Sequence, residues 1–233
     1  MKPLLQVSGL NAWYGESHVL HGVDMTVGEG EMVTILGRNG VGKTTTLRTI
    51  MGIVRERKGQ IVFDGKDMMT VPLHRTAHAG MGFVPEERGI FATLTVEENL
   101  MLPPTVAEGG MPIDEIYELF PNLHERRTSP GTKLSGGEQQ MLAIARILRT
   151  GVRLLILDEP TEGLAPVIVQ RIGEVLKKLK QRGMTVLLVE QNFRFASKVA
   201  DRFYLMEHGQ MVANFPVHEL QDRMGTLHKV LGV

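Results

Sequence analysis

Two periodicities divide this chain. Short apolar runs stand at Met32 to Leu36, Leu154 to Leu157 and Thr185 to Val189, and runs of that length without polar alternation predict strands buried on both faces of a parallel sheet. Pro166 to Arg182 instead repeats its apolar residues at helical spacing and stops at Gly183, the residue that most readily takes the left-handed conformation closing a helix. Phe193 to Ala200 reads as a short helix and Phe203 to Met206 as another strand. Strands alternating with helices predict an α/β fold with helices flanking a parallel sheet.

Two stretches depart from that rhythm. Residues 4 to 35 read as short β-segments broken at Gly9, Tyr14-Gly15 and Gly28-Glu29-Gly30, and Gln60 to Phe63 is a further strand closed by the turn Asp64-Gly65. From about residue 86 the period becomes helical. Thr95 and Glu98 make a capping box, Ile113 to Phe120 has a helical repeat, and Ser135 with Glu138 caps a helix running to Leu148. The expected organisation is a core begun by residues 1–85, a helical insertion over 86–150, and the core completed by 151–233.

Composition narrows the possible roles. A length of 233 residues is enough for one core with an insertion. Lys plus Arg and Asp plus Glu are equal at 26 each, so no nucleic-acid partner or polybasic membrane contact is expected. The basic groups Arg55/Arg57/Lys58 and Lys177/Lys178/Lys180 read as solvated faces. Cysteine is absent, which rules out disulfides and thiolate metal sites and fits the inside of the cell. Met1-Lys2-Pro3 leads directly into strand-like sequence, and no apolar run reaches bilayer length, so a membrane role is expected to come through a partner. The eight His residues lack ligand-like spacing, and His208-Gly209 reads as a hairpin turn.

The most specific chemistry lies between the first buried strand and the helix after it. Gly37-Arg38-Asn39-Gly40-Val41-Gly42-Lys43-Thr44 matches G-x-x-x-x-G-K-[ST] at each fixed position. In such a loop the backbone N–H groups and a helix N-terminus converge on a phosphate. Gly37, Asn39, Gly40, Gly42, Lys43, Thr44 and Thr45 are therefore the expected phosphate contacts, with Lys43 on the outer phosphates and the Thr44 hydroxyl on Mg²⁺. Asp158 and Glu159 follow the buried run at 154–157, at the strand end where open α/β sheets bind ligands. Asp158 is the expected second Mg²⁺ ligand and Glu159 the carboxylate that polarises an attacking water. Gly136 and Gly137 sit in the first turn of the helix capped by Ser135, where glycine weakens a helix unless something approaches its backbone closely.

The phosphate loop, Leu134-Ser135-Gly136-Gly137-Glu138 and Leu154-Leu-Ile-Leu-Asp-Glu-Pro160, in that order, resemble the ABC transporter ATPase family over the whole length of the chain. The resemblance implies the P-loop NTPase variant of that family, with an N-terminal β subdomain and an inserted helical subdomain. It implies that two ATP-binding subunits sandwich two ATP molecules, so that Ser135, Gly136, Gly137 and Glu138 of one complete the site on Lys43 of the other. Tyr14 stands where the family's adenine-stacking aromatic lies.

Three positions depart from the general family pattern. Glu86 replaces a usual Gln, and its carboxylate can ligate Mg²⁺ or a metal-bound water but cannot donate a hydrogen bond. Gln191 replaces the usual switch His; its amide can donate to a γ-phosphate oxygen but cannot titrate. Ala165 replaces a common Asp and removes a charge from the expected subunit interface. These positions, within Val84-Pro-Glu86, Thr95-Val-Glu-Glu-Asn99-Leu, Gly163-Leu-Ala-Pro166 and Val189-Glu-Gln191-Asn, resemble ATPase subunits of branched-chain amino acid importers. Urea and short-amide importer subunits are closely similar. The resemblance implies a cytoplasmic ATPase, peripheral on the inner face of the membrane, that docks on permease subunits and pairs with a sister subunit or itself. A separate solute-binding protein would deliver the solute. Soluble ABC ATPases and P-loop kinases are the alternatives.

Overall fold

The chain builds two sheets, and the computed structural model describes residues 2–232; Met1 and Val233 lie outside them. β1 (Pro3–Tyr14) and β2 (Ser17–Gly28) form a hairpin, and β3 (Met32–Leu36) feeds the phosphate loop and α1 (Lys43–Ile50). β4 (Arg57–Phe63) and the short β5 (Lys66–Asp67) complete an antiparallel sheet of order β2-β1-β4-β5. β6 (Met81–Val84) precedes a run of helices: α2 (Val96–Met101), α3 (Ile113–Leu119), α4 (Pro121–Glu125) and α5 (Gly136–Leu148). The chain then alternates through β7 (Leu154–Asp158), α6 (Pro166–Gln181), β8 (Thr185–Glu190), α7 (Phe193–Ala196) and β9 (Arg202–Glu207), and closes with β10 (Gln210–Pro216) and α8 (Met224–Leu231). The second sheet has the order β10-β9-β3-β8-β7-β6; its strands are parallel except for the edge strand β10.

Successive side chains of a strand point to opposite faces, and here they enter different cores. Leu154 and Ile156 of β7 join Val33, Ile35, Leu187 and Val189 in a core shared with α1 and the antiparallel sheet. Leu155 and Leu157 join Val186, Leu188 and the apolar faces of α2 to α6 on the other side. This is why the runs at 154–157 and 185–189 carry no polar alternation. A third, smaller core under α8 gathers Phe203, Leu205, Phe215 and Leu227.

The structure revises parts of the sequence reading. Gly9 does not break a strand: β1 continues through it with a bulge, its φ is +55°, and its N–H donates to Asp24 Oδ1 at 2.8 Å. The helix begun at Phe193 ends at Ala196, short of the expected Ala200, because the next residues turn to bring the Asp201 N–H onto Met32 O and start β9. β6, β10, α4 and α8 have no counterpart in the sequence reading. The turns Asp64-Gly65 and His208-Gly209 form as expected, each with two left-handed residues.

Ile156 is fully buried in the middle of the sheet. Replacing it by Ala removes apolar contacts and leaves a cavity, so Ile156→Ala is expected to lower unfolding free energy by about 2–5 kcal/mol in denaturant titrations, with the slope unchanged.

Candidate active site

The phosphate loop emerges from β3, which lies between β8 and β9, so the loop opens at the carboxyl edge of the sheet. Gly42 caps α1 with φ +111°, a conformation that side-chain-bearing residues rarely adopt. Lys43 is buried and folds back across the loop. Its Nζ donates to Gly37 O at 2.9 Å and Arg38 O at 3.0 Å, and pairs with Glu159 Oε1 at 3.0 Å. The Thr44 hydroxyl donates to Asp158 Oδ1 at 2.9 Å.

Asp158 ends β7, and the chain turns sharply at Glu159, whose φ of +44° is unusual for a residue other than glycine. The Glu159 N–H donates to Val189 O at 3.0 Å, which fixes the turn against the neighbouring strand. Backbone held in a sparsely populated region costs free energy, and such positions cluster at functional sites. Burial pushes the Asp158 carboxyl up to about 6, against the Thr44 hydrogen bond that lowers it and with Glu159 and Glu86 adding to the rise. Its buried Oδ2 has no hydrogen-bond partner. An orphaned carboxylate oxygen beside a threonine hydroxyl is a hard-oxygen donor set suited to Mg²⁺. Among the described residues no three or more His, Asp or Glu side chains form a metal cage, so these oxygens would share such an ion with phosphate and water.

A cavity of about 260 Å³ lies over this edge, lined by Asn39, Gly40, Gly42, Lys43, Thr44, Thr45, Glu86, Glu159 and Glu162. Glu162 is exposed, and its side-chain hydrogen bond with Glu159 pushes its carboxyl up to about 7. A neighbouring cavity of about 680 Å³ is lined by Gly37, Asn39 and Gln191. Tyr14 is half exposed and lines neither.

Ser135 and Glu138 stand elsewhere in the same chain. The Ser135 N–H and hydroxyl donate to Glu138 Oε2 at 2.8 and 2.7 Å, and the Glu138 N–H donates back to Ser135 Oγ at 3.3 Å. Both line a separate cavity of about 580 Å³ with Met141, Ile168 and Glu174. The two glycines between them have neighbours within the chain: a Cβ on Gly137 would lie 2.5 Å from Ile168 Cγ2, and one on Gly136 3.1 Å from the Arg88 guanidinium. The close approach expected at these glycines is thus made within the chain, by Ile168 of α6 at Gly137 and by the end of the Arg88 side chain at Gly136. Arg88 also donates to Gln139 Oε1 at 3.1 Å.

Glu190 and Thr161 escaped the sequence reading. Glu190 ends β8 almost wholly buried; Thr161 Oγ1 donates to its Oε1 at 2.7 Å and the Asn192 N–H to its Oε2 at 3.1 Å. Burial pushes the Glu190 carboxyl up to about 7 despite those hydrogen bonds. The signal for it was a charged residue closing a strand whose middle is wholly apolar.

The chain is similar to known proteins. Residues 20–162 match the family model described as ABC transporter. The chain is 42% identical to BraG of Pseudomonas aeruginosa, a high-affinity branched-chain amino acid transport ATP-binding protein, over 90% of this chain and 91% of that one. It is 36% identical to LptB of Escherichia coli K12, a lipopolysaccharide export system ATP-binding protein, over 94% and 93% of the two chains. The dimeric structure of MJ0796, described as a bacterial ABC transporter cassette, aligns at a TM-score of 0.80 and 26% identity over 91% of this chain and 98% of that one.

A carboxyl group whose folded-state pKa is raised stabilises the fold fully below its unfolded pKa and loses that contribution as pH rises through the folded value. For Glu190 the loss runs from the ordinary carboxylate range up to about 7. Thermal unfolding from pH 4 to 8 is therefore expected to show the parent falling relative to Glu190→Gln, which cannot ionise, with the difference levelling off above neutrality.

Proposed function

The chain belongs to the ABC transporter family as an ATP-binding, ATP-hydrolysing subunit, and from that premise we propose that it powers import of branched-chain amino acids. The carrying observation is the 42% identity to BraG across nine-tenths of both chains. Glu86, Ala165 and Gln191, the positions that resemble branched-chain importer subunits, support it. The 36% identity to LptB favours a second reading, in which the same engine serves lipid export. Urea or short-amide import is the remaining alternative.

In this reading the backbone N–H groups from Gly37 to Thr45 and the Lys43 ammonium hold the triphosphate. Thr44 and Asp158 hold Mg²⁺, with Glu86 on the ion or its water; when bound, the ion offsets phosphate charge and polarises the phosphoryl oxygens. Lys43 and Glu159 are paired at 3.0 Å. A γ-phosphate competes for the ammonium, which frees Glu159 to orient a water and take its proton. Gln191 donates its amide to a γ-phosphate oxygen, and Tyr14 stacks on the adenine.

Ser135 and Glu138 line a different cavity from Lys43, which supports a site completed by Ser135, Gly136, Gly137 and Glu138 of a second subunit, the same chain or a sister. Dimer closure on ATP and reopening after hydrolysis would then drive permease subunits fed by a solute-binding protein. No helix among the described residues is long and apolar enough to cross a membrane, in keeping with a peripheral place on the cytoplasmic face.

Lys43→Ala is expected to abolish ATP binding. Glu159→Gln should keep ATP bound while hydrolysis falls by about 10²–10⁴-fold; hydrolysis at the parental rate would remove Glu159 from its role. In source cells lacking the chain, the parent but not Lys43→Ala is expected to restore uptake of labelled leucine. Restored urea uptake instead would select the amide importers, and a defect confined to surface lipopolysaccharide would select the exporter.

A further inference from the structure

Glu190 is the buried acid that the proposed mechanism leaves without a task. Its strand is otherwise Thr-Val-Leu-Leu-Val, all buried. Placing a carboxyl group at the end of such a strand costs free energy unless its oxygens are well satisfied. Both oxygens are satisfied, by groups on two different loops. Thr161 lies two residues after Glu159 on the turn that follows β7, is itself buried, and gives its hydroxyl to Oε1. Asn192 follows Gln191 on the turn after β8 and gives its N–H to Oε2. β7 and β8 are hydrogen-bonded neighbours, with Asp158 opposite Val189. Glu190 thus joins the two turns beyond the point where the sheet's own ladder stops.

We propose that Glu190 is a positioning residue for ATP hydrolysis: through Thr161 and Asn192 it holds the Glu159 turn and the Gln191 turn at a fixed separation, so that the water-orienting carboxylate and the γ-phosphate amide act on one phosphorus. The proposal rests on the roles given above to Glu159 and Gln191. Its physical basis is the steep dependence of rate on the placement of reacting groups. Neither Glu190 nor Thr161 lines the cavity over Lys43, so neither is expected to touch ATP. Their loss should disturb turnover and leave nucleotide binding alone. A residue that only stabilised the fold would lower the melting temperature without separating the two kinetic constants.

The test is steady-state ATPase kinetics on the full chain, with Glu190→Ala, Thr161→Val and Thr161→Ser measured beside the parent and Glu159→Gln. Misplacement of a catalytic group by about 1 Å costs on the order of 10²-fold, and a kcat loss approaching that size, with KM for ATP unchanged, is expected for Glu190→Ala and Thr161→Val. Thr161→Ser keeps the donated hydroxyl and should restore most of kcat. Combined with Glu159→Gln, the Glu190→Ala change should add little further loss, because the group it positions is already gone. Parental kcat in Thr161→Val, or a rise in KM matching the fall in kcat, would overturn the proposal. If Glu190→Ala fails to fold, the Thr161→Val and Thr161→Ser pair decides alone. An inactive parent, or a fully active Glu159→Gln, would overturn the underlying assignment instead and is recognised before any Glu190 variant is read.

Discussion

The site depends on three neighbouring strands running the same way. β3, β8 and β7 are parallel and in step, with Leu36 opposite Glu190 and Asp158 opposite Val189, so each delivers the residues that follow it to one edge of the sheet. That alignment brings together Thr44 and Asp158, 114 positions apart, at hydrogen-bonding distance. It also sets the Lys43 ammonium against Glu159. An antiparallel neighbour in the place of β7 or β8 would send its chain end to the opposite edge, and no local feature of the phosphate loop could compensate.

The electrostatics follow from this crowding. Glu86, Asp158, Glu159 and Glu162 crowd the edge where Lys43 supplies the positive charge, with Glu190 buried nearby; burial drives the Asp158 and Glu190 carboxyls upward, and the hydrogen bond with Glu159 raises that of Glu162. The even balance of 26 basic and 26 acidic residues over the whole chain hides this local excess of acid. Amid these carboxylates the single Lys43 ammonium does not by itself offset a polyanionic ligand. Such a ligand needs backbone N–H donors, a helix N-terminus and a divalent cation, which are what the loop after β3 and the Thr44–Asp158 pair are suited to provide.

What was legible in the sequence was what is decided locally. Glycines and Lys43 at fixed spacing announce the phosphate loop, serine and threonine with a glutamate three residues on announce the helices they cap, and unbroken apolar runs announce doubly buried strands. What stayed hidden was decided by neighbours distant in sequence. β10 alternates exposed and half-buried positions because it is an edge strand held by β9. β6 contains Gly82, a poor strand residue that is in place because Ile147 of α5 leaves no room for a side chain. Gly9 looked like a break and is a bulge, since the partner strand continues past it. Glu190 lies one residue past the apolar run, and its task depends on Thr161, 29 positions away in sequence.

The large sheet is one strand thick, yet it separates two interiors. Consecutive residues of β7 answer to different company: Leu155 and Leu157 to the helices, Leu154 and Ile156 to α1 and the antiparallel sheet. A change of volume on the helical side is met first by the helices, and one on the other side by α1 and the antiparallel sheet. A substitution in this strand therefore reaches the phosphate loop directly from one side of the sheet, through the core that holds α1, and from the other side only through the strand itself.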